Sequence, residues 1–252
     1  MKILMIAPEP FFTPRGTPIS VHQRLLALSK LGHQVDLLTL HLGQDPTIPG
    51  VTIYRVPNVP FIKHVRIGPS RAKAFLDILL FCQAVLLLIK NQYDVIHSHE
   101  EAAFFSVLLS KLFRTRHLYD MHSSLPRQLG NFNFWNGWPI VKLAEILERW
   151  TLNTCDAVIT VDSDLQEHLI AINPKTPSVK IENLALHTYN GTASHSSAGE
   201  LKQAMGLANR LTIVYTGSFE RYQGLDLLLK SAVIVKYQHP EVFLIMVGGS
   251  PQ

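Results

Sequence analysis

Charge is scarce in this chain of 252 residues: charged side chains make up 17% of it, against 47% for hydrophobic ones. That composition excludes a globally disordered polymer and supplies a sizeable core. Cysteine is scarcer still, with only Cys82 and Cys155. Both fall in apolar, helix-like surroundings, which excludes a disulfide framework and leads us to expect a reducing, cytoplasmic setting. The formal net charge is +4, too little for a nucleic-acid footprint but suited to small anions or a membrane surface. The first apolar run, Ile3 to Ala7, stops at Pro8 and Pro10 and is too short for the core of a secretory leader. No leader is expected from this run, so the glycosylation triplet Asn190-Gly191-Thr192 is discounted. The longest apolar stretch, Phe75 to Ile89, is interrupted by Asp77 and Gln83 and falls short of the ~20 residues that cross a bilayer. The first glycine loop also lacks a full G-x-G-x-x-G, so it does not carry the dinucleotide fingerprint.

What remains is an alternation of strand-like and helix-like segments. Met1 to Ala7 reads as a buried strand, Pro8 to Pro18 as a loop, Ile19 to Leu31 as a helix stopped by Gly32, and Gln34 to Leu40 as the next strand. The helix start after that loop favours an anion, and Gly16 there is either a turn residue or a place where phosphate approaches. Gly50 to Val56 is a further strand. Pro60 to Ala74 carries Lys63, Arg66, Arg71 and Lys73 without an acidic residue, interleaved with Phe61, Ile62, Val65 and Ile67. It reads as a solvated basic loop or as a surface for an anionic acceptor or phospholipid. Phe75 to Lys90 is expected to be a core helix.

The stretch YDVIHSHEEAAFFSVLLSKLFRTRHLYDMHSS, from Tyr93 to Ser124, organises the rest. It reads as strand, buried helix (Ala102 to Phe113) and strand. Functional crevices of open parallel sheets lie at the carboxyl ends of the strands, which places His97, His99 and His122 on one rim. Leu125 to Pro139 is a long loop rich in aromatics, fit for a lid or for packing on the core. A helix at Ile140 to Asn153, a strand at Ala157 to Val161, a helix from Ser163 and a strand at Val179 to Ile181 complete the first domain. A polar stretch, His187 to Gly199, reads as a linker. A second unit follows: strand Leu211 to Thr216, loop Gly217 to Gly224, helix Leu225 to Tyr237, strand Val242 to Val247. Such a unit cannot cover both faces of its sheet, so an incomplete second domain is expected.

These segments together resemble a glycosyltransferase of family 4. The resemblance is carried by LSKLGHQVDLLT, YDVIHSH, YDMH, ERWTLNTCDAVITVDSDL, the IEN turn, YTGSFERYQGLDLLLKSA and FLIMVGG, in that order and spacing. It implies an α/β chain with the GT-B fold of two facing Rossmann-like domains. Here that means an acceptor-side domain over residues 1–186, a linker over 187–199, and the start of a nucleotide-sugar-binding domain over 200–252. It implies transfer of a sugar from a nucleotide-sugar to a saccharide or lipid-linked acceptor, with retention of configuration and no cofactor or bound metal. By the same resemblance, His122 lies beside the donor sugar as the catalytic-site residue. Arg15, Gly16 and Thr17 lie near the donor phosphates, and His97 and His99 lie where an acceptor approaches. Gly217, Ser218, Arg221, Gln223 and Gly224 form the donor-diphosphate loop. Many relatives have Arg where this chain has Ser218 and Lys where it has Gln223, so Arg221 is expected to supply the missing cation. The family's paired glutamates would lie beyond Gln252. The cytoplasmic setting read from the cysteines and the basic stretch Pro60 to Ala74 together lead us to expect contact with the inner face of an anionic membrane. Two other readings stay open: a metal-dependent hydrolase using His97, His99 and His122, and a non-catalytic module that binds an acceptor or a membrane.

Overall fold

A computed structural model describes residues 1–13, 16–65, 70–131, 138–183, 195–217, 219 and 223–248. The chain divides into two compact units, Met1–Ala185 and Leu186–Gln252.

The first unit is built on seven parallel strands: β1 (Lys2–Ala7), β2 (Gln34–Thr39), β3 (Val51–Arg55), β4 (Val95–His99), β5 (Arg116–Met121), β6 (Ala157–Thr160) and β7 (Ser178–Lys180). Their order is β3-β2-β1-β4-β5-β6-β7. The order reverses between β1 and β4, which makes that pair the topological switch point. The helices are α1 (Gly16–Lys30), α2 (Arg71–Lys90), α3 (Ala102–Phe113), α4 (Leu125–Asn131), α5 (Trp138–Thr154) and α6 (Ser163–Ile172).

The two-residue period of a strand sets the layers. Leu4 and Ile6 of β1 pack with Leu76, Leu80 and Ala84 of α2. Ile3 and Met5 turn the other way, onto Val21 and Leu25 of α1. A third cluster joins Tyr119 and Met121 of β5 to Leu152, Leu165 and Leu169 of α5 and α6.

Several expected boundaries shift, each for a local reason. Helix α1 begins at Gly16 and takes in Pro18, because proline costs nothing in a first turn whose N–H groups lack partners anyway. Leu125 to Asn131 is helix rather than loop, with Pro126 in the same tolerated place. Helix α2 begins at Arg71, where the Ser70 hydroxyl accepts the Lys73 N–H at 3.1 Å, a serine cap that the reading of 60–74 as one loop passed over. The helix is therefore 20 residues long, and by length and composition it could cross a membrane, contrary to the expectation from the sequence. It is also not simply a core helix. Leu76, Leu80, Ala84, Leu87 and Leu88 are buried, while Phe75, Ile78, Leu86 and Ile89 are exposed. Helix α3 likewise exposes Leu108 and Leu112.

The second unit holds α7 (His195–Ala204), β8 (Thr212–Gly217), α8 (Leu225–Gln238) and β9 (Phe243–Gly248). Strands β8 and β9 pair in parallel from Thr212–Phe243 to Gly217–Gly248. Of the expected linker, residues 187–194 lie outside the described residues, and from His195 onward the chain is helical. None of the α8 residues is buried within this chain.

Candidate functional site

Parallel register puts His97 beside Leu118 and His99 beside Asp120. His97, His99 and Asp120 therefore share one face of the sheet, the face that α1 covers. Their rings and carboxylate form one array at the carboxyl end of the strands. The His97 and His99 rings stack with centroids 4.8 Å apart, and those of His99 and His122 lie 5.2 Å apart. Asp120 Oδ2 receives a hydrogen bond from His97 Nε2 at 3.2 Å and another from Arg24 Nε at 2.9 Å. His99 Nδ1 and His122 Nε2 share a hydrogen bond of 3.0 Å. Arg24 was not picked out from the sequence. Its one signal is the Ser20–Arg24 spacing, a polar pair one helical turn apart on the sheet side of α1. Arg24 also donates to the Ile181 carbonyl at 3.0 Å, and Ser20 bonds Asn183 at 2.5 Å. These bonds hold α1 against the Ile181-Glu182-Asn183 turn.

Burial opposes the charge on Asp120, but the hydrogen bond from His97 and the nearby His99 and His122 hold its pKa far below the usual carboxylate range. Burial lowers the pKa of both His99 and His122, with Asp120 opposing the shift. Both imidazoles are accordingly neutral at neutral pH. Asp120 Oδ1 has no hydrogen-bond partner among the described residues and lies 3.4 Å from His122 Nε2. Protonating His122 at Nε2 serves both that oxygen and His99 Nδ1. This tautomer leaves His122 Nδ1 with a free lone pair, able to accept a hydrogen bond from a hydroxyl. His97 and His99 are buried, and His122 keeps 6% of its side chain open.

Ligand atoms of His97, His99 and Asp120 lie within 4.8 Å of one another, close enough to hold a metal ion. The donor set fits a metal poorly. The Arg24 guanidinium already neutralises Asp120, and the facing nitrogens of His99 and His122 are bonded to each other.

A second group of charges flanks the switch point. Lys73 pairs with both Asp77 and Glu101. It is thus a largely enclosed, neutralised cation and not part of the open basic surface expected of 60–74. Within that stretch, Ile62 and Val65 pack in the core while Phe61 is 80% exposed; Arg66 and Ile67 lie outside the described residues. Burial first, and then Glu101, pushes the Glu100 pKa up to about 7, although Ser123 Oγ donates to Glu100 Oε2 at 2.8 Å. Burial, with Glu100 and Glu101 nearby, also raises Glu9, whose Oε1 has no partner among the described residues. None of Glu9, Lys73 and Glu100 was read from the sequence as a site residue, because their burial, and the Lys73–Glu101 pair that joins α2 to the start of α3, leave no local signature.

Of the other expected site residues, Arg15 lies outside the described residues. Gly16 and Thr17 open α1. A Cβ added at Gly16 would meet nothing within 4 Å among the described residues, and its φ is not positive. The fold itself does not require glycine there, which leaves room for a ligand to approach. Gly217 ends β8 and Gly224 precedes α8 with φ +71°. Gln223 is exposed, and Ser218 and Arg221 lie outside the described residues. A Cβ on Gly248 would fall 1.6 Å from the Gly217 carbonyl oxygen, so the paired strand ends tolerate only glycine at that position.

A reversed-order parallel sheet with a polar rim, followed by a second parallel α/β unit, defines a GT-B glycosyltransferase architecture. The chain belongs to Glycosyltransferase Family 4, whose profile matches residues 14–183. It is 24% identical over 255 residues to the phosphatidylinositol N-acetylglucosaminyltransferase gpi3 subunit of Schizosaccharomyces pombe, covering 96% of this chain and 50% of that protein. The corresponding subunit of Saccharomyces cerevisiae is also 24% identical, over 253 residues, with 96% and 52% covered. The chain thus spans about half the length of the curated relatives it matches. Among solved structures, sucrose-phosphate synthase from Thermosynechococcus elongatus superposes with a TM-score of 0.71 at 20% identity, covering 99% of this chain and 63% of that one. Anabaena HepE in complex with UDP and glucose gives 0.65 at 18% identity, covering 100% and 62%.

Proposed function

We propose that this chain contributes the acceptor-side domain and the first part of the donor-side domain of an enzyme that moves a sugar from a nucleotide-sugar to a saccharide or lipid-linked hydroxyl, with retention and without a metal. The observation that carries the reading is the neutral histidine array anchored on Asp120 and Arg24 at the carboxyl ends of β4 and β5, in a chain of this family. In the proposed reaction His122 Nδ1 accepts a hydrogen bond from a donor-sugar hydroxyl. Asp120 and His99 fix its tautomer and ring plane, and His97 and Arg24 fix Asp120. The departing nucleoside diphosphate develops negative charge, which needs preorganised positive partners. Such partners are proposed on the loop from Gly217 to Gly224, with Arg221; the α1 start at Gly16 is a separate anion-favouring place in the first unit. A lipid-linked acceptor is supported by the names of the curated relatives, which act on phosphatidylinositol. The enzyme would work at the cytoplasmic side of a membrane.

The test is to incubate the full-length protein with nucleotide-sugars and candidate acceptors in the presence of a strong chelator. Released nucleoside diphosphate and the anomeric configuration of the product, read by NMR, are the measurements. Release that persists with the chelator, with the donor's configuration kept, is expected. Loss of turnover on chelation, restored by a stoichiometric divalent metal, would contradict the reading and favour the hydrolase.

A further inference from the structure

Helix α2 has two apolar faces, and the core uses only one. The exposed one is the stripe Phe75, Ile78, Cys82, Leu86 and Ile89, spaced 3, 4, 4 and 3 residues apart. Every exposed residue of α2 from Ala74 to Ile89 is uncharged. Exposure is large along the stripe, at 60% for Ile78, 48% for Leu86 and 67% for Ile89. The surface continues onto α3. Phe81 meets Phe105 edge to face at 5.7 Å, and Leu108 and Leu112 beyond it are 55% and 72% exposed. An apolar surface of two helices is larger than a water-facing domain surface ordinarily tolerates.

Charges on this surface are confined to its ends and are of one sign. Arg71 stands at the start of α2, after exposed Phe61 and Lys63; Lys90, Lys111, Arg114 and Arg116 stand where α2 and α3 finish. The nearby carboxylates are engaged elsewhere. Asp77 and Glu101 are taken by Lys73, and Asp94 accepts the Lys2 backbone N–H at 2.7 Å. An apolar strip bounded by unopposed Lys and Arg matches an anionic bilayer surface. Leucines, isoleucines and phenylalanines enter the acyl boundary while the long basic side chains reach headgroup phosphates. A partner helix would need only the α2 seam and would leave Leu108, Leu112 and the cations without a role. We infer that the outer face of α2 and α3 docks this domain on an anionic membrane, with α2 lying in the plane of the interface. This inference does not require that the protein transfers sugar, and its test reads binding alone.

The test is co-sedimentation of the protein with vesicles of phosphatidylcholine, with and without phosphatidylglycerol. Binding to the mixed vesicles that falls with salt is expected. The pair Ile78→Asp with Leu86→Asp should weaken it by about tenfold or more, and Lys111→Gln with Arg114→Gln by a similar factor. The altered side chains are exposed, so melting temperatures should be unchanged. If the aspartate pair fails to fold, Ile78→Ser with Leu86→Ser reads the same face. Wild-type protein that ignores mixed vesicles at low salt would overturn the inference, as would aspartate or serine variants that bind undiminished. So would a variant that converts a wild-type dimer to monomer, because the face would then be a contact between copies of the chain.

Discussion

Asp120 is the residue on which the rim converges, since it takes hydrogen bonds from β4 and from α1 at once. The three histidines were legible because strand parity and the carboxyl-end rule need only local sequence. Arg24 was not, because it lies 96 residues from Asp120 and meets it only through the sheet. Glu100 was not singled out, because a proton shifted by burial is revealed by no spacing. Its pKa of about 7 stands above the ordinary 4.5. A carboxyl raised in this way stabilises the fold fully below the unfolded value and loses that contribution as pH rises through 7. Glu100→Gln has no proton to lose. Its melting temperature should therefore gain on that of the wild type between pH ~5 and ~8, by an amount equivalent to at most about 3 kcal/mol. A gap that stays constant across that range would show that Glu100 is not ionising from a buried state.

At the scale of elements, one side chain holds the loops around the site. Arg55, at the end of β3, donates to the carbonyls of Leu40 at 2.8 Å, Leu42 at 2.6 Å, Phe11 at 2.5 Å and Gln44 at 3.0 Å, and to Asp45 Oδ1 at 2.9 Å. It thereby ties the loop after β1, which leads to Gly16, to the loop after β2. Arg55→Ala should cost about 3 kcal/mol in urea unfolding, because several carbonyls lose their donor together. Arg55→Lys should recover only part of this, since an ammonium cannot reproduce the planar fork. A cost below about 0.5 kcal/mol for the alanine variant would show that the clamp is ornamental. The sequence showed Arg55 as a polar strand end and nothing more, because the recipients are backbone carbonyls, which have no residue signature. Element identities were far more legible. Each strand of the sheet was expected near its place, and the central ones were plainest because buried parallel strands read as apolar runs. The misjudged segments, Leu125 to Asn131 and the two faces of α2, are those where proline, or apolar composition on every side, hid the true partner.

For the whole molecule, fold and family were legible because many weak signals recur in one order, and that order is itself the α/β alternation. Of the loop proposed to hold the diphosphate, Gly217, Phe219, Gln223 and Gly224 lie among the described residues. The imidazole at the rim, with the carboxylate and guanidinium behind it as its support, is the group proposed to act on the sugar. The most direct measurement is kcat for sugar transfer by the full-length wild type and by His122→Ala, at saturating nucleotide-sugar. A fall of about a hundredfold or more, with the KM for the donor changed far less, is the predicted result. An alanine variant that turns over at the wild-type rate would contradict the account.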